Sequence, residues 1–509
     1  MGKLKVFICE VDSEDESKMR EIASFEVEEE EVGKLEKGKA LDELEERTEK
    51  IGQEIKRKLL QMQWERIDKE VSEAYYEGCA PETVRYDGHC EVTIVSRSGR
   101  LKLNRQLVYH KERQEHVMPG NAFLPEHEGL IITRGVQEWA CLLPGELPFT
   151  SAARLLGWQS GEDKLLSDTT CRNLVREHGS IIRAAEAAEV ERLWQTENFL
   201  DLEPHLSERQ PAQPRASWPA ELNEAVEKVL QEENPQPPAG VKSCDWERVL
   251  ERHRHNPSVS GEGLRRLGPE VGSDEILVTV DEVLTRQAKP GRFWEVRTAC
   301  IMTAVGMRYL SGTGESFLQQ LFILLLILGV GRHRSLLFIA DGARWIRNFF
   351  VDYCSAAAHT QMILDWYHLR LKGYQLSSMI CRGKLAKGKF LATLYYHLWR
   401  GHVPAAIHFL SNYRDQAKNL DKLDELIAYL QARQPFIPDY QARRRQQQYI
   451  GSGHVEKAND LIVARRQKHQ GMHWSLDTSD GLAALKTLML NQGWDLYWTQ
   501  HQVLPLVVS

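Results

Sequence analysis

Two short apolar runs that each end in an aspartate constrain the fold of this chain more than any other feature. Residues 276–281 read ILVTVD, and residues 336–341 read LLFIAD. Apolar, β-branched runs of this length predict buried strands. Each strand would carry a carboxylate, Asp281 or Asp341, to the edge of a sheet, so the two aspartates are candidate ligands of one metal site.

The sequence around these runs predicts an α/β sheet with a helical insertion. Residues 293–306 and 307–312 predict two more strands, and residues 360–369 (TQMILDWYHL) predict a fifth; helices are predicted at 315–330 and 343–354. Three strands in succession, followed by alternation with helices, indicate an α/β fold in the order expected of a ribonuclease H-like core. The pattern is helical between Leu376 and Gln448, which predicts an inserted subdomain.

A third acidic residue, Glu456, begins the helix that follows this insertion. Cleavage of a phosphodiester requires stabilisation of an attacking and a leaving oxygen, and two Mg²⁺ ions held by carboxylates provide it. We expect Asp281 to bridge the two ions, with Asp341 and Glu456 as flanking ligands and Mn²⁺ as a substitute metal. An aspartate after a strand is also a common turn residue, and the DGA sequence at Asp341 fits that alternative.

Other polar residues near these acids are candidates for supporting the site or contacting phosphate. Asp365 and His368 form a D-x-x-H pair that could support the metal site or orient DNA, or form a buried structural pair. Basic residues on both sides of Glu456 are suited to phosphate contacts. They are Arg443, Arg444, Arg445, Arg465, Arg466 and Lys468. Trp474 is a candidate for stacking on an unpaired base, with core packing as the alternative.

Charge is distributed unevenly along the chain. The formal net charge is −7, yet residues 1–60 carry a net −6 and residues 331–509 a net +10. A basic C-terminal part favours a nucleic-acid partner. The nine cysteines include no C-x-x-C pair, which disfavours a disulfide framework or a zinc ribbon. The apolar run 317–330 is too short to span a bilayer, and the N-terminus lacks signal-peptide features, so we expect a cytoplasmic protein.

The N-terminal half predicts elements that could recognise DNA. A long helix is expected from Glu36 onward, as a coiled-coil arm or a solvated helix, and residues 85–112 predict a β-hairpin. Two helices follow, at 148–158 and 167–179, the second capped by Ser167 and closed by Gly179. The pair resembles a helix-turn-helix motif. Its candidate DNA-reading residues are Thr169, Thr170, Arg172 and Asn173.

Several ordered motifs resemble a known family. They are VTVDEV, WEVR, FIADGARWI, LDWYHL, GSGHVEKANDLI, RRQKHQGMHWS and GLAALKTLMLNQGWDLYW. Together they resemble bacterial insertion-sequence transposases of the DDE class, ISKra group, and more distantly Mutator-like elements, over residues 275–499. The resemblance implies an RNase H-like fold, Mg²⁺ dependence, binding to terminal inverted repeats, and the DDE roles for Asp281, Asp341 and Glu456. Family members often have glycine where this chain has Glu282.

The resulting prediction is a DDE transposase that cleaves element ends and joins them to target DNA. Its partners would be double-stranded DNA, as terminal inverted repeats and target, and at least one further copy of the chain. The alternatives are a host RNase H-like nuclease and a domesticated DNA-binding protein without cleavage. The predicted organisation is an acidic helical arm (1–75), a β-rich hairpin region (76–135), a helix-turn-helix-like domain (136–203), a Pro-rich linker (204–274), the first part of the core (275–375), the helical insertion (376–449) and the C-terminal core helices (450–509).

Overall fold

The computed structural model of the protein describes residues 4–11, 19–27, 40–124, 129–196, 275–287, 291–303, 306–330, 334–354, 360–468 and 472–503. The predicted Pro-rich linker, 204–274, lies outside these described residues. The chain divides into two compact units, Met1–His178 and Gly179–Ser509, and each is described by itself. No helix among the described residues is both long and apolar enough to cross a membrane.

The first unit begins with a β-hairpin that the sequence did not indicate. Strand β1 (Leu4–Val11) pairs antiparallel with β2 (Met19–Val27). The long helix predicted from Glu36 onward is present as α1, Ala40–Glu77. Its Asp68 is buried and accepts two hydrogen bonds from the buried guanidinium of Arg105. This ion pair fixes α1 against the sheet that follows.

The predicted hairpin at 85–112 is confirmed as β3 (Val84–Ser96) and β4 (Gly99–His110). The turn joins Ser96 to Gly99, and Gly99 has a φ of +105°, which favours glycine. Two short strands complete a four-stranded sheet in the order β5-β4-β3-β6. They are β5, Glu115–Val117, and β6, Ile131–Ile132.

Three helices follow in the chain. They are α2 (Arg134–Leu142), α3 (Phe149–Ser160) and α4 (Asp168–Thr196). Ser167 caps α4 as predicted, because its Oγ accepts a hydrogen bond from the backbone N–H of Thr170 at 2.9 Å. The prediction that Gly179 ends this helix is wrong, since α4 continues for 17 more residues. Gly179 is instead a packing residue: a Cβ there would lie 2.3 Å from the Cα of Gly481.

The second unit is a mixed α/β structure built on one mixed five-stranded sheet. The strand order is β11-β10-β7-β8-β9. Strands β7, β8 and β9 form an antiparallel meander, whereas β10 and β11 run parallel to β7. The five strands are β7 (Glu275–Arg286), β8 (Phe293–Thr303), β9 (Gly306–Gly312), β10 (Ser335–Ala340) and β11 (Thr360–Leu364). All five strands predicted from the sequence are therefore present.

Helices cover both faces of this sheet, which explains why its strands are apolar on both sides. Val278 and Val280 of β7 pack into the core cluster that contains α5 (Gly314–Ile327) and α6 (Arg344–Phe349). Val283 of the same strand packs against C-terminal helices. Those helices and short helical segments are α12 (Gly453–Asn459), α13 (Arg465–Gln467), α14 (Leu476–Leu490) and α15 (Trp494–Gln500).

A helical subdomain lies between β11 and α12 in the chain. Its helices are α7 (Trp366–Ile380), α8 (Lys384–Trp399), α9 (Val403–Asn412), α10 (Leu420–Arg433) and α11 (Tyr440–Arg445). The subdomain has its own apolar core, in which the rings of Trp366, Trp399 and Tyr440 contact one another. It begins ten residues earlier than predicted: Trp366 to Leu369 are helical, because Asp365 ends the strand by capping α7.

Candidate metal centre

Three aspartates occupy equivalent positions on three neighbouring parallel strands. The register pairs Ala340 of β10 with Val280 of β7 on one side and with Leu364 of β11 on the other. The next residues along the three strands are Asp281, Asp341 and Asp365. Because adjacent strands lie about 4.8 Å apart, this register alone brings the three carboxylates to one edge of the sheet.

Asp281 differs from the prediction in one respect, since its strand does not end there. Strand β7 continues five residues further to Arg286, and Asp281 pairs with Thr298 of the antiparallel strand β8. The parallel neighbour β10 stops at Ala340, so Asp281 lies at the level where β7 loses that neighbour. Its backbone is held on the β8 side while its side chain lies near the edge formed by the parallel strands.

Glu456 and His368 join this edge from two helices. Glu456 lies in the first turn of α12, as predicted, and His368 lies in the first turn of α7. Ligand atoms of Asp365, His368 and Glu456 all lie within 4.8 Å of one another. Within the described part of the chain this is the one such group of His, Cys, Asp and Glu residues, and it includes Glu456 but neither Asp281 nor Asp341.

The carboxylates act on one another electrostatically. Burial raises the pKa of Asp281 to about 6, and the negative charges of Asp341 and Glu456 act in the same direction, whereas His368 opposes them. The amide of Asn459 donates to Asp281 Oδ2 at 2.7 Å and accepts from the hydroxyl of Thr298. Asp281 is thus held in one orientation in a place where a negative charge is unfavourable unless a cation is near.

We name the edge of the sheet that carries Asp281, Asp341 and Asp365 the acidic edge. Asp341 is both a turn residue and a member of this edge. Its Oδ1 accepts a hydrogen bond from the backbone N–H of Ala343 at 2.7 Å. Gly342 has a φ of +81°, and a Cβ there would lie 2.7 Å from a methyl carbon of Leu364. The turn interpretation of the DGA sequence is therefore correct, and it coexists with the electrostatic influence of Asp341 on Asp281.

Asp365 is a buried hydrogen-bond acceptor that caps the N-terminus of α7. Its Oδ1 accepts from the backbone N–H groups of Tyr367 and His368, and its Oδ2 accepts from the N–H and the hydroxyl of Ser452 at 2.5 and 2.6 Å. Burial alone would raise the pKa of Asp365, but the hydrogen bonds from His368 and Ser452 outweigh it and hold the pKa below its usual value.

The carboxylates around His368 favour its protonated form. The Asp365 carboxylate, with Oδ2 at 3.8 Å from His368 Nδ1, raises the pKa of His368 to about 9 against the effect of burial, and Asp341 and Glu456 contribute in the same direction. A protonated imidazole has no lone pair for a metal. His368 is thus a candidate cationic hydrogen-bond donor beside the carboxylates, and it also belongs to the group formed with Asp365 and Glu456 whose ligand atoms lie close together.

Glu282 also belongs to the acidic edge, although the sequence pattern did not single it out as a site residue. The indole N–H of Trp345 donates to its Oε2 at 2.5 Å. Burial raises the pKa of Glu282 to about 7 despite this hydrogen bond, and Asp341 and Asp281 add to the effect. The sequence analysis also missed Asn459, Thr298 and Ser452. A single polar residue belongs to no sequence pattern, so the sequence does not indicate which distant residue it contacts.

Two of the residues predicted to contact DNA are buried. Arg466 is 2% exposed and its guanidinium lies 4.8 Å from the ring of Trp474, which is 3% exposed. The indole N–H of Trp474 donates to the carbonyl of Gln467. The core-packing alternative is therefore correct for Trp474, and Arg466 supports it in the core.

The remaining predicted contacts with DNA differ in exposure. Arg443 is half-buried and donates to the carbonyl of Tyr449 at 3.0 Å. Four of the predicted basic residues are exposed, namely Arg444, Arg445, Arg465 and Lys468. In the first unit, Thr169 is exposed in the first turn of α4, Thr170 contacts Ser167, Arg172 pairs with Asp168 and Asn173 is half-buried.

Comparison of the chain with protein-family models and with curated proteins found no match. The geometry of the residues described above is therefore what supports a function.

Proposed function

We propose that the second unit is the RNase H-like catalytic domain of a DDE transposase, which cleaves DNA at the ends of its element and joins them to a target. One observation carries the proposal: Asp281 and Asp341 stand in register on neighbouring parallel strands, and the charge of Glu456, in the first turn of α12, acts on Asp281. The order of elements supports it, since three successive strands are followed by two that alternate with helices, which is the succession that the sequence predicts for such a core.

The donor set fits Mg²⁺. Carboxylate oxygens are its preferred protein ligands, and the raised pKa of Asp281 indicates that a positive charge beside it would be favourable. Asp281, Asp341 and Glu456 would hold the metal. When bound there, two Mg²⁺ ions, or Mn²⁺ as a substitute, supply charge stabilisation to the attacking and leaving oxygens.

The protein groups around these ligands position them and the DNA. Asn459 holds the orientation of Asp281 through a 2.7 Å hydrogen bond. Asp365 fixes the start of α7, and so the place of His368, whose cationic ring donates a hydrogen bond to a phosphate oxygen of the strand being cut. Water attacks phosphorus and loses a proton, the bond from phosphorus to the 3′ oxygen breaks, and the leaving oxygen takes up a proton to become a 3′-OH. This 3′-OH then attacks a target phosphorus and loses its proton, while the bond from that phosphorus to the target's own 3′ oxygen breaks and leaves a target 3′-OH.

The first unit would supply recognition of the terminal inverted repeats. Thr169 and Arg172 lie in the first turns of α4, the position from which a recognition helix contacts bases. Exposed cations of the second unit, among them Arg444 and Lys468, would contact phosphates. Pairing of two element ends requires at least two copies of the chain, so we propose a homodimer or a larger oligomer.

The test uses a labelled duplex that carries the inverted repeat flanking the coding sequence. We expect the full chain to nick this duplex at the repeat boundary in Mg²⁺ or Mn²⁺ but not in Ca²⁺. Asp281→Asn, Asp341→Asn and Glu456→Gln should each abolish nicking and preserve binding. Asp460→Asn is the matched control, because Asp460 lies one turn beyond Glu456 and pairs with Lys457 at 3.5 Å.

Products distinguish this function from its alternatives. Joining of the 3′ end to a second DNA supports a transposase, whereas nicking without joining indicates a host nuclease. If the wild type binds the repeat and leaves it intact with every metal, the proposal is wrong and a DNA-binding protein without cleavage is indicated.

A further inference from the structure

Residues 366–414 form a stretch without any aspartate or glutamate. With 72 acidic residues in a chain of 509, a stretch of this length would contain about seven on average. It contains eight lysine and arginine residues instead. In a chain with a net charge of −7, this stretch is a concentrated positive region, and it covers helices α7, α8 and α9 of the helical subdomain.

Only two of these eight cations are paired with a carboxylate among the residues that the structure describes. Lys372 pairs with Glu425 at 2.8 Å, and Arg414 pairs with Asp424 at 2.5 Å. Within the same described ranges no ion pair involves the other six, which are Arg370, Arg382, Lys384, Lys387, Lys389 and Arg400. Their charge is available to a ligand.

Part of this positive charge is arranged on one surface of α7 and α8 together with exposed tyrosines. Lys387 of α8 lies 3.4 Å from the ring centroid of Tyr374 of α7, and its ammonium donates to the hydroxyl of Ser378 at 2.6 Å. Arg370 lies one turn before Tyr374, and Lys384 one turn before Lys387. We name this surface the α7–α8 face, defined by Tyr367, Arg370, Tyr374, Lys384 and Lys387.

The α7–α8 face starts at the candidate metal centre. Tyr367 lies between Asp365 and His368 in the chain, and a Cβ on Gly451 would lie 2.8 Å from its ring. Tyr367 is 57% exposed and Tyr374, two turns further, is 54% exposed. A helix of 15 residues such as α7 is about 22 Å long. This length matches about six nucleotides of one DNA strand.

We propose that the α7–α8 face binds the DNA strand that leaves the metal centre, in a form with unpaired bases. Arg370, Lys384 and Lys387 contact its phosphates, and unpaired bases stack on Tyr367 and Tyr374. Charge complementarity identifies the ligand as a polyanion, and exposed aromatic rings interleaved with cations favour an unpaired strand over a blunt duplex. The proposal rests on the proposed function, because it takes DNA as the substrate of that site.

The test measures binding without cleavage, by fluorescence anisotropy of the full chain in Ca²⁺. The probes are a blunt duplex and the same duplex with a single-stranded extension. We expect Arg370→Gln, Lys384→Gln and Lys387→Gln, combined, to weaken binding of the extended probe at least tenfold. The slope of log affinity against log salt concentration should become less steep by about 2, which corresponds to three lost phosphate contacts on a single strand.

A matched control removes three charges from the same subdomain. Lys372→Gln, Arg414→Gln and Lys422→Gln, combined, change net charge equally but remove cations already paired with Glu425 or Asp424. This control should bind the extended probe within about twofold of the wild type, since these cations are held by carboxylates and make none of the proposed phosphate contacts.

Stacking is tested at Tyr374. Tyr374→Leu should weaken binding of the extended probe about fivefold and leave binding of the blunt duplex unchanged. Tyr374→Phe should retain the affinity for both probes, because it keeps the aromatic ring. Equal losses for the two triple variants, or equal effects on both probes, would overturn the proposal. So would a change in oligomeric mass without a change in DNA affinity, which would identify a second copy as the occupant. A wild type that binds but does not nick overturns the proposed function alone.

Discussion

Asp341 illustrates how residues of the acidic edge oppose the stability of the fold. Its charge acts with burial to raise the pKa of Asp281, so the two carboxylates repel each other when no cation is bound. Such crowding is typical of functional sites, where ligand geometry is maintained at the expense of stability. The repulsion predicts opposite effects of one substitution with and without metal.

We expect Asp341→Asn to raise the free energy of unfolding in EDTA by less than about 1 kcal/mol, the scale of one pKa unit, because attraction to His368 offsets part of the repulsion of Asp281. The amide oxygen of asparagine can still accept from Ala343, so the turn is retained. With Mg²⁺ at about 100 times its Kd, the wild type should gain about 2.7 kcal/mol, and the variant much less. Urea denaturation with and without Mg²⁺ measures both effects. Equal stabilisation of both proteins by Mg²⁺ would exclude Asp341 as a ligand.

Asp365 has the opposite character, because its carboxylate stabilises the fold. Asp365→Asn replaces Oδ2, which accepts two hydrogen bonds, by an amide NH₂ group that can only donate. This group would face the N–H and the hydroxyl of Ser452, which both donate to Oδ2 in the wild type. Loss of hydrogen bonds to a buried charge should lower the free energy of unfolding by about 3 kcal/mol. Ser452→Ala, which removes one of the donors and keeps the carboxylate, should cost about half as much.

The lowered pKa of Asp365 also predicts a pH dependence of stability. Its folded pKa lies below the unfolded value of about 3.9, so its contribution is complete above that pH and is lost as the pH falls through the folded pKa. The difference in unfolding free energy between wild type and Asp365→Asn should therefore shrink on acidification below about pH 4. A difference that is constant across that range would contradict this account.

At the scale of elements, the close contact between α4 and α14 depends on two glycines. A Cβ on Gly179 would lie 2.3 Å from the Cα of Gly481, so the backbones would have to move apart. A Cβ on Gly388 in α8 would meet nothing within 4 Å, and Gly388 is otherwise an ordinary helical residue. Glycine is therefore required by packing at position 179 but not at position 388.

We expect Gly179→Ala to lower the free energy of unfolding by about 1–3 kcal/mol through overpacking. Gly388→Ala should raise it by about 0.5–1 kcal/mol, since alanine loses less backbone entropy on folding. Both residues belong to the second unit, so one denaturation experiment compares them. A neutral Gly179→Ala would show that the helices can separate at little cost.

The strands were the most predictable elements, because runs such as ILVTVD and LLFIAD are short, apolar and β-branched. Their ends were less predictable. Strand β7 extends past Asp281 because β8 pairs with it there, and α4 extends past Gly179 because that glycine serves packing. Both outcomes depend on residues distant in sequence, which local patterns do not report.

At the scale of the whole molecule, the sequence indicated the acidic residues but not the network that holds them. Asp281, Asp341 and Glu456 were found from strand and helix positions. Asn459 lies 178 residues from Asp281, to which it donates, and no periodicity connects the two. Trp474 was a candidate for DNA contact because an aromatic among basic residues looks the same whether buried or exposed, and its tertiary contacts determine which.

The helical subdomain enters and leaves the sheet at a single place. Trp366, its first residue, donates its backbone N–H to the carbonyl of Ile450 at 3.0 Å, and Asp365 accepts from Ser452. Neighbouring ends are the condition under which a segment can be exchanged or a chain reconnected without disturbing its host. A subdomain from another protein with a similar separation between its ends could thus be grafted at this point and leave the sheet continuous.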